Sequence, residues 1–290
     1  MKNFQGKVAA ITGAGSGIGR ALAIELAQRG CALALADLDP QRLAETQALA
    51  QAEGARATAA TVDVANRQAV FDWAAQCRAG HGKVNLVFNN AGVALTSFAE
   101  ATAPADFEWL MGINFWGVVH GTQAFMPHLR ASGEGHVINI SSLFGIMAMP
   151  TQSAYNASKF AVRGFTEALR MELDLAGAPV SATCVHPGGV ATNIAMAGRV
   201  DPAVERVSGM DAQAQRERAH RMIQVTTPQS AARQILAGVQ RNARRVVVGP
   251  DAKLMDIWTR LLGSWYQPLV LRGVRKLRGK EPPVADSKPA

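Results

Sequence analysis

Tyr155 and Lys159 stand four residues apart in Tyr-Asn-Ala-Ser-Lys, at the start of a stretch with helical periodicity. That spacing puts both side chains on one helix face, one turn apart. A neighbouring ammonium favours a phenolate and lowers a phenol pKa that starts at about 10. A phenol tuned this way can serve as a general acid/base. Taken alone, a Tyr-x3-Lys pair is more often an ordinary surface pair. Upstream, Ser141-Ser142 follows an apolar run ending in Ile140. At that strand end Ser142 could reach a cleft above the sheet and hydrogen-bond a substrate carbonyl.

A second constellation is Thr12-Gly-Ala-Gly-Ser-Gly-Ile-Gly19, directly after the apolar run 8–12. Glycines let the chain turn sharply and let a phosphate approach the backbone. The helix that follows offers N–H donors and a positive dipole end. A dinucleotide pyrophosphate is the natural occupant. The spacing Gly13-x3-Gly17-x-Gly19 is not GxGxxG, and the Gly-Lys-Ser/Thr ending of a P-loop is missing. Asp37 ends the second apolar run, 20 residues after Gly17. An acid at that place hydrogen-bonds adenosine ribose hydroxyls and repels a 2′-phosphate. No basic residue lies within the turn or directly after Asp37, so NAD is expected, with NADP disfavoured. Alternatively Asp37 only opens the next helix, although Asp39-Pro40 already supplies an N-cap and a first-turn proline.

These residues need a scaffold. Apolar runs fall at 8–12, 32–36, 57–62, 84–88, 136–140, 180–185 and 245–248. Helical patterns lie between them, at about 17–30, 40–53, 66–79, 105–131, 154–176 and 228–241. Runs that are continuously apolar suggest strands covered on both faces. The alternation predicts an α/β fold, a Rossmann-like doubly wound parallel seven-stranded sheet with helices on both faces. Residues 1–250 are expected to form a single catalytic domain. Within it the polar stretch 193–226 is either a substrate lid or a long connection. Residues 253–266 place Leu254, Ile257, Trp258, Leu261, Leu262 and Trp265 at amphipathic helical spacing, and Pro268 is expected to interrupt that helix. The tail 279–290 is expected to be disordered.

Composition narrows the function. The charge of +8 is uneven: residues 1–215 carry 15 Lys/Arg and 17 Asp/Glu, residues 216–290 carry 15 and 5. No zinc-finger spacing or aromatic RNA-binding signature accompanies the basic quarter, so no nucleic acid is expected as a partner. Cys31, Cys77 and Cys184 form neither a disulfide framework nor a metal motif, which suits a reducing, cytoplasmic compartment. His81, His120, His128, His136, His186 and His220 show no ligand spacing, and no metal is expected. His186, just before Pro187-Gly188, could touch substrate but is expected to be structural. No apolar run reaches membrane-spanning length, and the first apolar stretch is too short for a signal-peptide core.

Together, Thr12-Gly-x3-Gly-x-Gly19, Asn89-Asn-Ala-Gly92, Asn114, Ser142, Tyr155-x3-Lys159 and Pro187-Gly188 with Thr192 resemble the classical short-chain dehydrogenase/reductase family. The resemblance covers about residues 4–250. The interval of 13 from Ser142 to Tyr155 selects Ser142 over Ser141 as the family's serine. The resemblance implies that Tyr155 is the general acid/base and that Lys159 binds nicotinamide ribose hydroxyls and depresses the Tyr155 pKa. It implies that Ser142 orients the carbonyl or alcohol and that Asn114 holds a proton-relaying water. Gly13, Ser16, Gly17, Ile18 and Gly19 would line the dinucleotide with Asp37. Asp63 and Val64 would contact adenine, Asn90 would lie along the cofactor, and Val190 and Thr192 would contact the carboxamide. Asn89 would tie strands together. Trp109, Phe115 and Trp116 would be core or oligomer contacts, in a homodimer or homotetramer.

The implied activity is hydride transfer between a nicotinamide cofactor and a secondary alcohol or ketone. An NAD-sensing scaffold and a sugar-nucleotide epimerase or dehydratase are the alternatives. The 251–280 segment either packs on protein or lies on a membrane surface. Both options favour a small hydrophobic substrate, lipid-, steroid- or retinoid-like.

Overall fold

The computed structural model describes residues 1–278. In chain order the elements are β1 (Val8–Thr12), α1 (Gly17–Ala27), β2 (Ala32–Asp37), α2 (Pro40–Ala52), β3 (Ala57–Thr61), α3 (Arg67–His81) and β4 (Leu86–Asn89). Then come β5 (Leu95–Thr96), α4 (Pro104–Met111), α5 (Gly117–Ala131), β6 (Gly135–Ile140), α6 (Ser153–Leu175) and β7 (Val180–Pro187). The chain continues through β8 (Arg199–Val200), α7 (Pro202–Ser208), α8 (Ala212–Met222), α9 (Pro228–Gln240), β9 (Arg245–Val248), α10 (Pro250–Leu262) and α11 (Tyr266–Arg278).

Seven strands form one parallel sheet in the order β3-β2-β1-β4-β6-β7-β9. Every residue of β1, β4 and β6 is buried, the polar Asn89, His136 and Asn139 included, as strands covered on both faces require. One face packs on Leu22 and Leu26 of α1, Leu43 of α2 and Ile235 and Leu236 of α9. The other packs on Trp73 of α3, Phe125 and Leu129 of α5 and Leu173 of α6. The strand order reverses direction at β1, between β2 and β4. In an open parallel sheet that reversal leaves a crevice beyond the strand ends, where ligands bind. Local signals fix the helix starts. The Asp39 carboxylate accepts from the Gln41 and Arg42 N–H groups, with Pro40 in the first turn of α2.

The structure departs from the sequence expectations at three places. The helix expected over 105–131 is split by a π-helical turn, Gly112–Trp116. Its cause is Asn114, whose buried amide turns inward and clasps the Val93 backbone, so the coil takes up an extra residue. The 193–226 stretch carries β8, α7 and α8, and β8 pairs in parallel with β5 in a small second sheet. Pro268 does not interrupt the C-terminal helix. The break is at Gly263 (φ +53°, ψ −129°) and its 3-10 turn, and Pro268 sits in the first turn of α11, where its missing N–H costs nothing. The tail expected to be disordered, 279–290, lies outside the described residues.

Candidate active site

The carboxyl ends of β1, β2, β4, β6 and β7 present Thr12, Asp37, Asn89, Ile140 and Pro187 at one edge of the sheet. The Thr12 hydroxyl accepts from the Asn90 and Ala91 N–H groups, at 3.0 and 3.1 Å. The Asn90 amide donates to the carbonyls of Thr12 and Gly13, at 2.9 and 3.2 Å. These bonds lock the turn after β1 to the turn after β4. The turn then needs its glycines. Gly13 and Gly17 have φ of +63° and +52°, and a Cβ on Gly19 would lie 2.1 Å from the Gly13 carbonyl oxygen. Ser16 precedes α1 without capping it through its side chain, so the helix end faces the cleft. A cleft of about 530 Å³ opens there, lined by Ser16, Gly17, Asn193 and the ion pairs Arg20–Glu45 and Arg42–Asp39. Both its position and its donors fit a dinucleotide phosphate.

Asp37 sits beside this turn. One carboxylate oxygen accepts from the Gly15 N–H at 2.8 Å and the other from the Asp39 N–H at 3.0 Å. Two guanidinium groups are closer than sequence spacing suggested. Arg20 donates to the Gly15 carbonyl at 2.6 Å and pairs with Glu45 at 2.8 Å. Arg42 brings its Cβ against Gly15, and its guanidinium lines the cleft and pairs with Asp39 at 3.2 Å. Sequence adjacency to Asp37 thus missed two basic residues, Arg20 and Arg42, that line the cleft. The turn of α2 that carries Arg42 folds back against the glycine turn. Asp63 is exposed and accepts from the Ala65 N–H at 2.9 Å, while Val64 is buried.

Four side chains converge at the end of β6 and the first turns of α6. The Lys159 ammonium is buried and donates to the Ile140 carbonyl at 3.2 Å. It lies 5.7 Å from the centre of the Tyr155 ring. Ser142 accepts from the Phe144 N–H at 3.1 Å, and its hydroxyl lies near enough to the Tyr155 phenol to favour the phenolate. The Asn114 amide bonds the Ser158 hydroxyl at 3.2 Å. Gly92 fits between them, since a Cβ there would stand 3.1 Å from Asn114 Oδ1 and 3.4 Å from Lys159 Nζ.

Burial governs the protonation here. It pushes Lys159 down to about 8 and raises Tyr155 above the ordinary phenol value, while the Ser142 hydroxyl pulls Tyr155 back. The expected depression of Tyr155 by Lys159 is not what this geometry produces. Desolvation of the phenolate outweighs the other influences, and the ammonium is engaged by the Ile140 carbonyl.

On the far side of the cleft, Val190 is buried, and the Thr192 N–H donates to its carbonyl at 2.7 Å. The Thr192 methyl would meet a Cβ on Gly17 at 2.9 Å, so the segment after β7 closes over the glycine turn. Asn89 donates to Asn139 at 2.8 Å and so ties β4 to β6. Two further residues support this region, and of the two only Asp251 escaped the sequence reading. His186 is buried, and its Nδ1 is 2.9 Å from the Ser142 carbonyl. Asp251 accepts from the Gly189 N–H at 2.7 Å and fills the space that a side chain at 188 would need. Pro250-Asp251 reads only as a helix start, and no spacing signal names a partner 62 residues away.

The family model for short chain dehydrogenases matches residues 7–202. SadH of Mycobacterium tuberculosis (strain ATCC 25618 / H37Rv), named an oxidoreductase, is 50% identical over 276 residues, 95% of this chain and 98% of that protein. Estradiol 17-beta-dehydrogenase 11 of Macaca fascicularis is 37% identical over 192 residues, 66% of this chain and 64% of that protein. The crystal structure of a short chain dehydrogenase/reductase from Burkholderia phymatum in complex with NAD matches with TM-score 0.78 at 31% identity, over 100% of both chains.

Proposed function

We propose that this chain, which belongs to the short-chain dehydrogenase/reductase family and is an oxidoreductase, moves a hydride between NAD and a secondary alcohol or ketone of hydrophobic character. The observation that carries this is the convergence of Ser142, Tyr155 and Lys159 at one edge of the sheet. Bound in the cleft, the nicotinamide would give or take the hydride.

The chain's own residues have separable tasks in this account. Gly13, Ser16, Gly17, Ile18 and Gly19 hold the pyrophosphate on the α1 N-terminus. Asp37 takes the adenosine ribose, Asp63 and Val64 the adenine, Asn90 the middle of the dinucleotide, and Val190 and Thr192 the carboxamide. Lys159 takes the nicotinamide ribose hydroxyls. Ser142 holds the substrate oxygen through its hydroxyl. The Tyr155 phenol gives that oxygen a proton in reduction, leaving the phenolate, and in oxidation the phenolate takes the proton from the alcohol. Asn114 holds a water that passes protons toward Lys159.

Several features support the finer reading. An apolar cavity of about 210 Å³ is lined by Met147, Met255, Trp258, Leu269 and others, and Met147 is in the loop that follows Ser142. A hydrophobic substrate suits such walls. The steroid dehydrogenase named above is a relative of this chain, which is consistent with an apolar alcohol or ketone. Residues 193–226 act as the lid: α8 buries no residue, and Asn193 reaches the phosphate cleft. Residues 1–250 form the catalytic unit. Trp116 in the π-helical turn and Phe160 in α6 are both exposed, and they support a homodimer or homotetramer. Cys31, Cys77 and Cys184 are free and buried, as suits a reducing cytoplasmic setting.

The test is a titration with NADH and with NADPH, read by nicotinamide fluorescence. Clear preference for NADH is expected. Preference for NADPH overturns the Asp37 assignment, and binding of neither leaves the glycine turn without its role.

A further inference from the structure

We propose that α10 and α11 lie flat on an anionic lipid surface. In α10 the small and polar side of the helix faces the protein, with Ala252 and Asp256 buried. The apolar side faces outward. Leu254, Ile257 and Leu261 are all exposed, and Leu261 and the following Trp265 reach 79% and 76%. An amphipathic helix that turns its apolar stripe away from its own protein has a second apolar environment to meet.

Charge selects that environment. The stretch 250–278 has six Lys/Arg and two Asp. Both Asp turn inward, Asp251 to the Gly189 N–H and Asp256 to Arg245 and Arg260. The outward side therefore combines apolar and aromatic groups with the exposed Lys253, Arg260, Arg272 and Arg275 and no exposed carboxylate. A second copy seated there would bring two strongly basic segments together, whereas anionic headgroups neutralise them. Trp and Tyr beside such residues suit the headgroup boundary. Both helices have 13 residues, and no helix among the described residues is long and apolar enough to cross a membrane. They lie on the surface and do not span it.

The placement has a consequence for the catalytic cleft. The Tyr266 hydroxyl accepts from the Ala148 N–H at 2.8 Å, so α11 is tied to the loop that follows Ser142. A seated extension brings that loop to the lipid boundary. The inference itself is independent of the hydride chemistry.

The full chain is floated with vesicles of phosphatidylcholine alone and of phosphatidylcholine with phosphatidylglycerol. It is expected to rise with the anionic vesicles, to release in high salt, and to bind the neutral ones about tenfold more weakly or less. Trp emission should shift to the blue and be quenched by brominated lipid. The double variant Leu261→Ser/Trp265→Ser should lose about tenfold or more of the binding while keeping its NADH titration, since neither residue touches the cleft. Three outcomes overturn the proposal. The chain stays behind with both vesicle types, it binds neutral and anionic vesicles equally, or the double variant halves the mass in light scattering, which would make this face an interface between copies.

Discussion

His186 Nδ1 stands 2.9 Å from the carbonyl oxygen of Ser142, so a buried imidazole on β7 holds the backbone of the residue expected to orient substrate. Burial pushes His186 down to about 4, so the ring is neutral near pH 7 and Nδ1 carries the donated proton. His186→Ala should destabilise the fold by about 1–3 kcal/mol. It should also lower kcat by roughly tenfold, because Ser142 is no longer held in place. Thermal unfolding and steady-state kinetics read the two effects separately, and an unchanged kcat contradicts the positioning role.

The same burial makes an acid prediction. His186 and His136 have folded values lowered to about 4 and about 3, below an unfolded value of about 6.5. The folded state thus binds fewer protons than the unfolded state in that window. The stability they contribute is complete above about pH 6.5 and is lost as the pH falls toward 4 and then 3. Denaturant midpoints measured from pH 7 down to 4 should fall steadily, and a flat profile contradicts this.

Lys159 sets function against stability. Its amine is buried and pushed down to about 8, so its charged form is disfavoured by the fold at neutral pH. Lys159→Met keeps the length and removes the charge. It should hold or raise the unfolding temperature by about 2–4 °C while turnover falls by about a hundredfold or more. A lower unfolding temperature would show that the bond to Ile140 matters more than the cost of burying the amine.

Gly19→Ala tests the turn. The added methyl would stand 2.1 Å from the Gly13 carbonyl oxygen, which cannot move without shifting the backbone. Loss of NADH binding and about 1–3 kcal/mol of stability are expected. Normal titration by this variant contradicts the assignment of the cleft.

Asp37→Ser tests cofactor choice. Without the carboxylate, Arg42, which lines the cleft in its pair with Asp39, is the cation that a 2′-phosphate would meet. The NADH-to-NADPH affinity ratio should fall about tenfold or more, equivalent to roughly 1.4 kcal/mol. An unchanged ratio would mean that Asp37 does not face the ribose.

Much of this architecture was legible in the residues. Buried parallel strands need mostly apolar runs, so β1, β4 and β6 announce themselves despite His136 and Asn139, and Asp39-Pro40 announces α2. What stayed hidden was set by partners distant in sequence. The π turn exists because the Asn114 amide meets the Val93 backbone, and helical periodicity cannot show that. Arg42 reaches Gly15 only once α2 folds against α1. The upward shift of Tyr155 follows from how closely protein surrounds it, whereas spacing from Lys159 suggested the opposite sign. Pro268 looked like a break because proline usually stops a helix, yet Gly263 supplies the break and leaves Pro268 in a permitted first turn.

The central claim is that the Tyr155 phenol moves the proton. Tyr155→Phe keeps the ring and removes only the hydroxyl, and its turnover is compared with that of the unaltered chain on the best hydrophobic alcohol or ketone found with NAD. The account predicts a loss of about 100- to 10,000-fold in kcat with NADH titrating as before. Retained turnover in a variant that still binds NADH would contradict it.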